Sequence, residues 1–526
     1  MDAVAHPQSF AEIMRKLADS QPDRVALSFE GRHTTYADLE KHTNQVANAL
    51  IAAGIKKGDR IAYLGKNSDS YFEVFLGAGK MGGTTTPINW RLAGPEIVYI
   101  LQDSRAPFLF VGPEFVDAIP GIAGQCPDLK TIIAVEDSAR GWPDYISWRD
   151  CQLASAPQAD VGANDDVLQL YTSGTTGRPK GVMIAARNLA NLPKLLDQTN
   201  EEWAKWSADD VSLMTMPIGH IGGTGWGFWT LACGAKGIVL RDFDPGRILD
   251  LIEDEKINKV FLVPSALQAI VSHPRARQID YSHLKYISYG ASPIPLALLR
   301  ECVEVFGCGF VQMYGITETT GVVAALPPED HSLEGSPKMR SAGKALPGVE
   351  IAILNESGKR LGPSEVGEIA IRSASNMKGY WNLPEATAAT IDKEGWLRTG
   401  DAGYLDEEGY LYIHDRVKDM IISGGENVYP AEVENAIYGH PDVEEVAVIG
   451  VPSERWGEEV KAIIVPKPGR TPQQEDIIRW ARERLAAFKA PKSIDLIEAF
   501  PRNATGKILR RELREKYWKG YARQVN

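Results

Sequence analysis

The chain has 526 residues, 44% of them apolar and 24% charged, with a formal net charge of −12. That length calls for two or more cores, and the negative balance argues against general nucleic-acid binding, which wants a basic face. Five cysteines (Cys126, Cys151, Cys233, Cys302 and Cys308) without a C-x-x-C spacing suggest neither a disulfide framework nor a zinc site, and point to the reducing cytoplasm. The start, MDAVAHPQSF, lacks the cationic-then-apolar pattern of a signal peptide. No apolar run approaches the ~18 residues of a membrane span, so no integral membrane contact is expected.

Ser9 and Glu12 stand at capping-box spacing, and Phe10, Ile13, Met14 and Leu17 share one helical face. Thr35 opens a second helix with Leu39, Val46, Ala47 and Leu50 on one side and a stop at Gly54. Residues 57–60 turn into a strand over 61–64, and a helix follows over 71–81. This alternation is that of an α/β protein with parallel sheets.

The stretch Tyr171–Val182, YTSGTTGRPKGV, is polar between apolar flanks, so it reads as strand, loop, strand. Gly174, Gly177 and Gly181 let backbone N–H groups turn toward an anion. Ser173, Thr175 and Thr176 add hydroxyls, and Arg178 and Lys180 add charge. Such a loop suits a reacting polyphosphate, although the G-x-x-x-x-G-K-[ST] spacing of a P-loop is absent. Strands follow over 212–216, 237–240, 259–263, 286–289 and 311–314, with a helix over 245–255. Several of these strands end in polar or glycine-containing loops, where open α/β sheets place ligands. From about 342 to 415 short alternating segments predict a β-rich subdomain. Beyond a charged junction at 415–419 lies a small α/β unit. It has a helix from Ala431, strands near 443–451 and 460–465, and a helix capped by Thr471 with the stripe Ile478, Ala481, Leu485 and Phe488. The division is a large domain over 1–416 and a small one over 417–526.

Eight motifs then fall in one order: YTSGTTGRPKGV (171–182), PIGHIGG (217–223), YGASP (289–293), YGITETTG (314–321), GYWNLPEAT (379–387), LRTGD (397–401), DRVKDMIISGGENVYPAEVE (415–434) and PRNATGKILRR (501–511). Together they resemble the acyl-adenylate-forming superfamily from about Phe10 to Arg511, and most closely its bacterial fatty-acid–CoA ligase branch. The resemblance implies a large α/β domain with a β-rich subdomain and a small mobile α/β C-terminal domain. It implies an AMP-forming carboxylic acid–CoA ligase that uses ATP, Mg²⁺ and CoA.

The resemblance also implies roles. Thr172, Ser173, Gly174, Thr175, Thr176, Gly177 and Lys180 hold the β- and γ-phosphates. Thr317 bonds the α-phosphate and Glu318 helps hold Mg²⁺. Gly290, Ala291 and Ser292 line the adenine, Tyr314 stacks on it, and Gly315 adjoins it. Asp401 accepts the ribose hydroxyls and Arg416 contacts the ribose. Lys507 reaches the substrate carboxylate and α-phosphate, and is open to acetylation as in some relatives. Lys418 is the hinge, while Ser423, Gly424 and Gly425 make room for CoA. His220 either gates the carboxylate site or is an ordinary core histidine. With Ile221, Gly222, Trp226, Tyr289 and Gly315 it outlines an acyl pocket in which bulky Tyr289 closes the tunnel. The run 222–229, small residues between large aromatics, reads either as helix packing or as flat pocket walls. A mono-acid with a medium-chain, cyclic or aryl tail is favoured, because no cation in this stretch pairs a second carboxylate. Two rival readings stay open: an adenylating enzyme that loads a separate carrier-protein thiol, and a non-catalytic acyl or nucleotide sensor.

Overall fold

Local signals set the first helices. In helix Phe10–Ser20, Ser9 and Glu12 cap each other's backbone as their spacing predicts. Thr35 and Asp38 do the same for helix Tyr36–Ala52, and Gly54 follows at φ +85°, where only glycine is unstrained. The computed structural model describes residues 9–136, 139–172, 178–416, 419–423, 426–453, 455–502 and 507–519.

Two sheets form the body of the large domain. In the nine-stranded sheet the order is Lys344–Ala345, Gly321–Leu326, Gly309–Ile316, Tyr286–Gly290, Lys259–Leu262, Val211–Met214, Lys236–Val239, Val25–Phe29 and Arg32–Thr35. The seven-stranded sheet runs Gly379–Tyr380, Lys180–Ala185, Asp166–Thr172, Thr84–Ile88, Arg60–Leu64, Phe108–Val111 and Thr131–Ala134. Helices alternate with the central strands, most of which pair in parallel, as the alternation predicts; Asp166–Thr172 with Lys180–Ala185 and Gly309–Ile316 with Gly321–Leu326 pair antiparallel. The two sheets meet at their strand ends. There Arg241 donates to both Glu30 carboxylate oxygens at 2.7 Å and to Glu136 at 2.8 Å, tying the strand ends of one sheet to those of the other.

A four-stranded antiparallel sheet, Glu350–Leu354, Gly367–Arg372, Leu397–Leu405 and Leu411–Arg416, is the β-rich unit. The next strand, Ile421–Ser423, belongs to a separate five-stranded sheet built on the long pair Val443–Ser453 and Gly457–Pro466. Helix Pro430–Tyr438 packs on that pair, with Val433 and Ile437 buried against Val446 and Val448.

Pro264, just past strand Lys259–Leu262, stands at the first position of helix Pro264–Val271, where its missing N–H is harmless. One expectation about the elements is corrected. The helix expected from Thr471 starts at Gln474, with Gln473 at its cap and no capping side-chain bond. Ile477 and Ala481 are its buried residues, Ile478 is only half-buried and Phe488 is exposed. The helix ends at Arg482, so Leu485 and Phe488 of the expected stripe lie beyond it.

Candidate active site

Strands Asp166–Thr172 and Lys180–Ala185 form an antiparallel hairpin in which Thr172 and Lys180 face each other. Residues 173–177 between them lie outside the described residues. The hairpin base is held from the side: Tyr171 donates to Asp103 Oδ2 at 2.6 Å, and Tyr99 to the Pro179 carbonyl at 3.1 Å. The backbone N–H of Trp381 donates to the Gly181 carbonyl at 2.7 Å.

Strand Gly309–Ile316 brings its end to this hairpin. Gly315 has no side chain because a Cβ there would lie 1.7 Å from the Gly321 carbonyl oxygen, so the neighbouring strand closes in on it. A short 3-10 turn, Thr317–Thr319, follows and points Glu318 at the hairpin. Glu318 Oε1 accepts from the Thr172 hydroxyl at 3.2 Å and from the Tyr380 hydroxyl at 3.0 Å. The Lys180 ammonium sits 4.6 Å from the centre of the Tyr380 ring. Tyr380 lies in a motif quoted above, yet nothing in its sequence position marks it as a site residue; the contact spans 62 positions.

Beside this group Tyr314 donates to Asp401 Oδ2 at 2.8 Å. Asp401 is buried, and its own N–H is fixed by the Thr399 hydroxyl at 3.1 Å. Strand pairing sets Arg416 opposite Asp401. Strand Tyr286–Gly290 ends at Gly290, where a Cβ would lie 2.1 Å from the Met313 carbonyl. Ala291 next to it is held at φ +66°, a conformation that costs a non-glycine residue of order 1 kcal/mol.

His220 caps helix Ile221–Ala232. Its carbonyl takes the N–H groups of Gly223 and Thr224 at 3.0 and 3.1 Å. Its Nε2 is buried with no hydrogen-bond partner among the described residues, although the residue keeps some exposed surface. Burial, and second the nearby Arg91 charge, pull its pKa down to about 4. An unpartnered buried donor or acceptor calls for a ligand atom or water, and the gate and core readings of His220 differ in whether one reaches it. A folded-state pKa below the ordinary 6.5 means that the unfolded chain binds more protons between pH 4 and 6.5. The stability that His220 contributes is therefore complete above pH 6.5 and lost as pH falls through 4. His220→Asn is expected to flatten the fall in urea midpoint between pH 7 and pH 4.5. A fall as steep as in the wild type would assign it to other groups.

The sheet register separates the expected acyl-pocket residues. Gly222 and Trp226 stand one helical turn apart, and Phe261 meets both: its Cε1 is 3.2 Å from where a Gly222 Cβ would lie, and its ring is 5.7 Å from that of Trp226. Gly321 looks toward Ile221 from the neighbouring strand. Phe261 pairs with Ser288 and Leu262 with Tyr289. Side chains alternate across a strand, so Tyr289 faces away from His220, Ile221, Gly222 and Trp226. It is fully buried on the opposite face, against Phe310 and His331. The His331 ring, neutral because burial lowers its pKa to about 4, donates from Nδ1 to the Pro327 carbonyl and accepts the Tyr289 hydroxyl at 2.9 Å. The expectation that Tyr289 closes a tunnel is thus corrected. Tyr289→Ala is expected to cost about 3–5 kcal/mol of unfolding free energy and to leave the acid-size profile unchanged, read by urea titration and by rates over a series of acids.

The run 222–229 divides its work. Gly223 and Gly227 have no room for a Cβ beside Pro217 and Phe72, and Phe228 stacks on Phe10 at 4.7 Å, so this face is packing. The other face, Gly222 and Trp226, meets Phe261. Trp206 and Trp229 back Trp226, and Ser212 holds its indole N–H at 2.9 Å.

Lys507 lies on the small domain at a turn closed by a bridge between Arg502 and Ile508 and by the Leu509 N–H on the Pro501 carbonyl at 2.8 Å. Ser423 is buried at the end of its strand. Lys418, Gly424 and Gly425 lie outside the described residues. A separate cavity of about 260 Å³ opens at the strand ends of both sheets, lined by Asn67, Trp90, Arg91, Met216, Phe243 and Ser265 among others.

Among the described residues no three His, Cys, Asp or Glu side chains cluster to hold a metal. A magnesium ion does not need such a cluster: it takes one or two carboxylates and completes its shell with phosphate oxygens and water. Glu318 fits that role. Its Oε1 is held by neutral hydroxyls, and its Oε2 accepts nothing from the described residues.

Residues 14–381 match the AMP-binding enzyme family, and residues 432–507 match the AMP-binding enzyme C-terminal domain. The chain belongs to the AMP-binding enzyme family. Within it the chain is 41% identical over 529 residues to the fatty acid–[acyl-carrier-protein] ligase ScoC of Streptomyces coeruleorubidus, with all of both chains covered. It is 39% identical over 503 residues to a feruloyl-CoA synthase of Amycolatopsis sp, covering 95% of this chain and 97% of that one. Among solved structures, the anthranilate CoA ligase AuaEII in complex with anthranoyl-AMP superposes with a TM-score of 0.90 at 28% identity, covering 98% of each chain. The protein is an AMP-forming acid–thiol ligase of the acyl-CoA synthetase branch, with ATP as a substrate. No helix among the described residues is long and apolar enough to cross a membrane.

Proposed function

We propose that this AMP-binding enzyme activates a monocarboxylic acid with a flat or ring-shaped apolar tail and passes the acyl group to the thiol of CoA. In the first step a carboxylate oxygen attacks the α-phosphorus of ATP, the bond to the bridging oxygen breaks, and pyrophosphate leaves. In the second the CoA sulfur attacks the acyl carbon, the bond to the phosphate oxygen breaks, and AMP leaves. Thr172 and Lys180 bind the outer phosphates, Thr317 the α-phosphate, and Asp401 with Tyr314 the nucleoside. Lys507 offsets the two anions that must approach each other. Bound at Glu318, Mg²⁺ supplies positive charge against the phosphate oxygens.

The observation that carries this reading is the convergence of Glu318, Thr172 and Lys180 beside the Tyr314–Asp401 pair, at the end of a strand turn whose Gly321 meets Ile221 of the helix that His220 caps. Gly222 packs against Phe261, whose ring meets that of Trp226, so the region beside His220 is aromatic, and feruloyl and anthranilate ligases among the relatives support a ring-bearing acid.

A second reading has a specific observation behind it: the relative at 41% identity is named for an acyl-carrier-protein acceptor. Pyrophosphate and AMP release over straight-chain, cyclic and aryl acids, with CoA, with a holo-carrier protein or with neither, tests both. Turnover on aryl acids only when CoA is present is the expected result. Turnover only with the holo-carrier would replace CoA as the acceptor, and a preference for straight chains would remove the ring-bearing acid.

A further inference from the structure

We propose that Tyr380 is a positioning residue for adenylation: it stands between Lys180 and Glu318, keeps the two from pairing, and so leaves the cation for phosphate and the carboxylate for metal. The inference rests on the nucleotide reading above and adds a residue and a device to it.

Opposite charges brought into one small space pair with each other unless something intervenes. An ammonium and a carboxylate held against one side chain ordinarily form an ion pair, and the low dielectric of a cleft strengthens it. Among the described residues Lys180 and Glu318 form none, although both touch the same side chain. The Tyr380 ring takes the ammonium on its negative π-face at 4.6 Å. Its hydroxyl, at the far edge, donates to Glu318 Oε1 at 3.0 Å. The Thr172 hydroxyl takes the same oxygen at 3.2 Å. Two neutral donors on one oxygen fix the plane of the carboxylate, and a carboxylate keeps further lone pairs for a ligand.

Tyr380 is itself rigidly mounted. It lies in the two-residue strand Gly379–Tyr380 at the sheet edge, in register with Val182 and Met183. Gly379 is at φ +144°, and a Cβ there would lie 2.6 Å from a Thr387 methyl, so only glycine fits. The Thr387 hydroxyl accepts the Tyr380 N–H at 2.9 Å. On the other side Trp381 is pinned by Arg60, whose guanidinium lies 3.5 Å from the centre of the indole, and by its own N–H bond to the Asp103 carbonyl at 2.9 Å. The same segment reaches Glu318 a second time, through the Met377 N–H on the Glu318 carbonyl at 2.8 Å. Residues 377–381 therefore clamp Glu318 by backbone and side chain together.

The test is ATP binding by calorimetry to the full chain, once with Mg²⁺ and once with EDTA, for the wild type, Tyr380→Phe and Tyr380→Leu. The quantity read is the ratio of the two dissociation constants. Tyr380→Phe keeps the ring and loses the donor to a charged acceptor, so the gain from Mg²⁺ is expected to shrink roughly tenfold while metal-free binding holds. Tyr380→Leu removes ring and hydroxyl, so metal-free binding is expected to weaken as well, because Lys180 then pairs with Glu318. A purely structural role for Tyr380 would lower the urea midpoint of Tyr380→Phe and leave the ratio alone. An unchanged ratio in both variants, with a normal wild-type response, overturns the proposal and leaves the ligase reading standing. Wild-type protein that binds no ATP in either buffer overturns both.

Discussion

Lys507→Ala is expected to slow acyl-adenylate formation about 10²–10³-fold while thioester formation from supplied acyl-AMP stays near the wild-type rate. In the first step two anions, a carboxylate and the α-phosphate, must come into contact, and a fixed cation at that point acts only on the charge present there. In the second step the carboxylate has already become an acyl phosphate ester, the attacking group is a sulfur, and a lysine at the phosphate is no longer required. The mounting suits such a part. The bridge between Arg502 and Ile508 closes the turn that carries Lys507, and Ile508 packs beside Phe500, Ala447 and Ile449 on the small domain. Truncating the side chain leaves that packing intact, so the unfolding midpoint should not move. ATP–pyrophosphate exchange measures the first step, and consumption of synthetic acyl-AMP with CoA measures the second. Equal losses in both would mean that Lys507 serves one fixed site and that the steps are not divided between two domain arrangements.

Asp401→Ala is expected to raise the KM for ATP about 10²-fold, since two hydrogen bonds to a charged acceptor are each worth about 1.5–3 kcal/mol and imperfect geometry takes part of that. Asp401 is prepared for the task. It is buried, its backbone is fixed through Thr399 and the left-handed Gly400 at φ +71°, and Tyr314 already holds Oδ2. A carboxylate with one oxygen oriented in advance loses little freedom when ribose hydroxyls arrive. Asp401→Asn keeps the shape and one acceptor, so its KM should fall between those of the wild type and Asp401→Ala. The KM for the acid, read in the same assays at saturating ATP, should hardly change. If the acid KM rises in parallel, Asp401 supports the cleft as a whole instead of the nucleoside.

What could be read from the sequence was local. The capping boxes at Ser9 and Thr35 lie within three residues of their partners, and both helices start where they say. The strands Asp166–Thr172 and Lys180–Ala185 were legible because apolar runs flank a polar stretch; residues 173–177 between them lie outside the described residues. The helix near Thr471 was placed early because Thr-Pro is a good cap signal in isolation, and its stripe was drawn past Arg482, where the helix ends. The pocket shows the limit more clearly. That strand Tyr286–Gly290 borders it could be anticipated. Which face Tyr289 takes could not, because that depends on its register with Phe261 and Leu262, more than twenty positions away. Glu318 was found from its motif, whereas the tyrosine that holds it was not, since that contact exists only once the turn after a strand of one sheet meets the edge strand of the other.

The pairing of Asp401 with Arg416 has a mechanical consequence. If the chain pivots at Lys418, the fulcrum lies two residues beyond the strand end that borders the ribose. Displacement under rotation grows with distance from the axis. The nucleoside end of the cleft then sits near the still point of the motion, while a lysine carried away from the axis on the small domain travels a longer arc. One swivel could withdraw the lysine and admit a different loop without disturbing the AMP between the two half-reactions, as a door turns widely at its handle and hardly at all at its hinge.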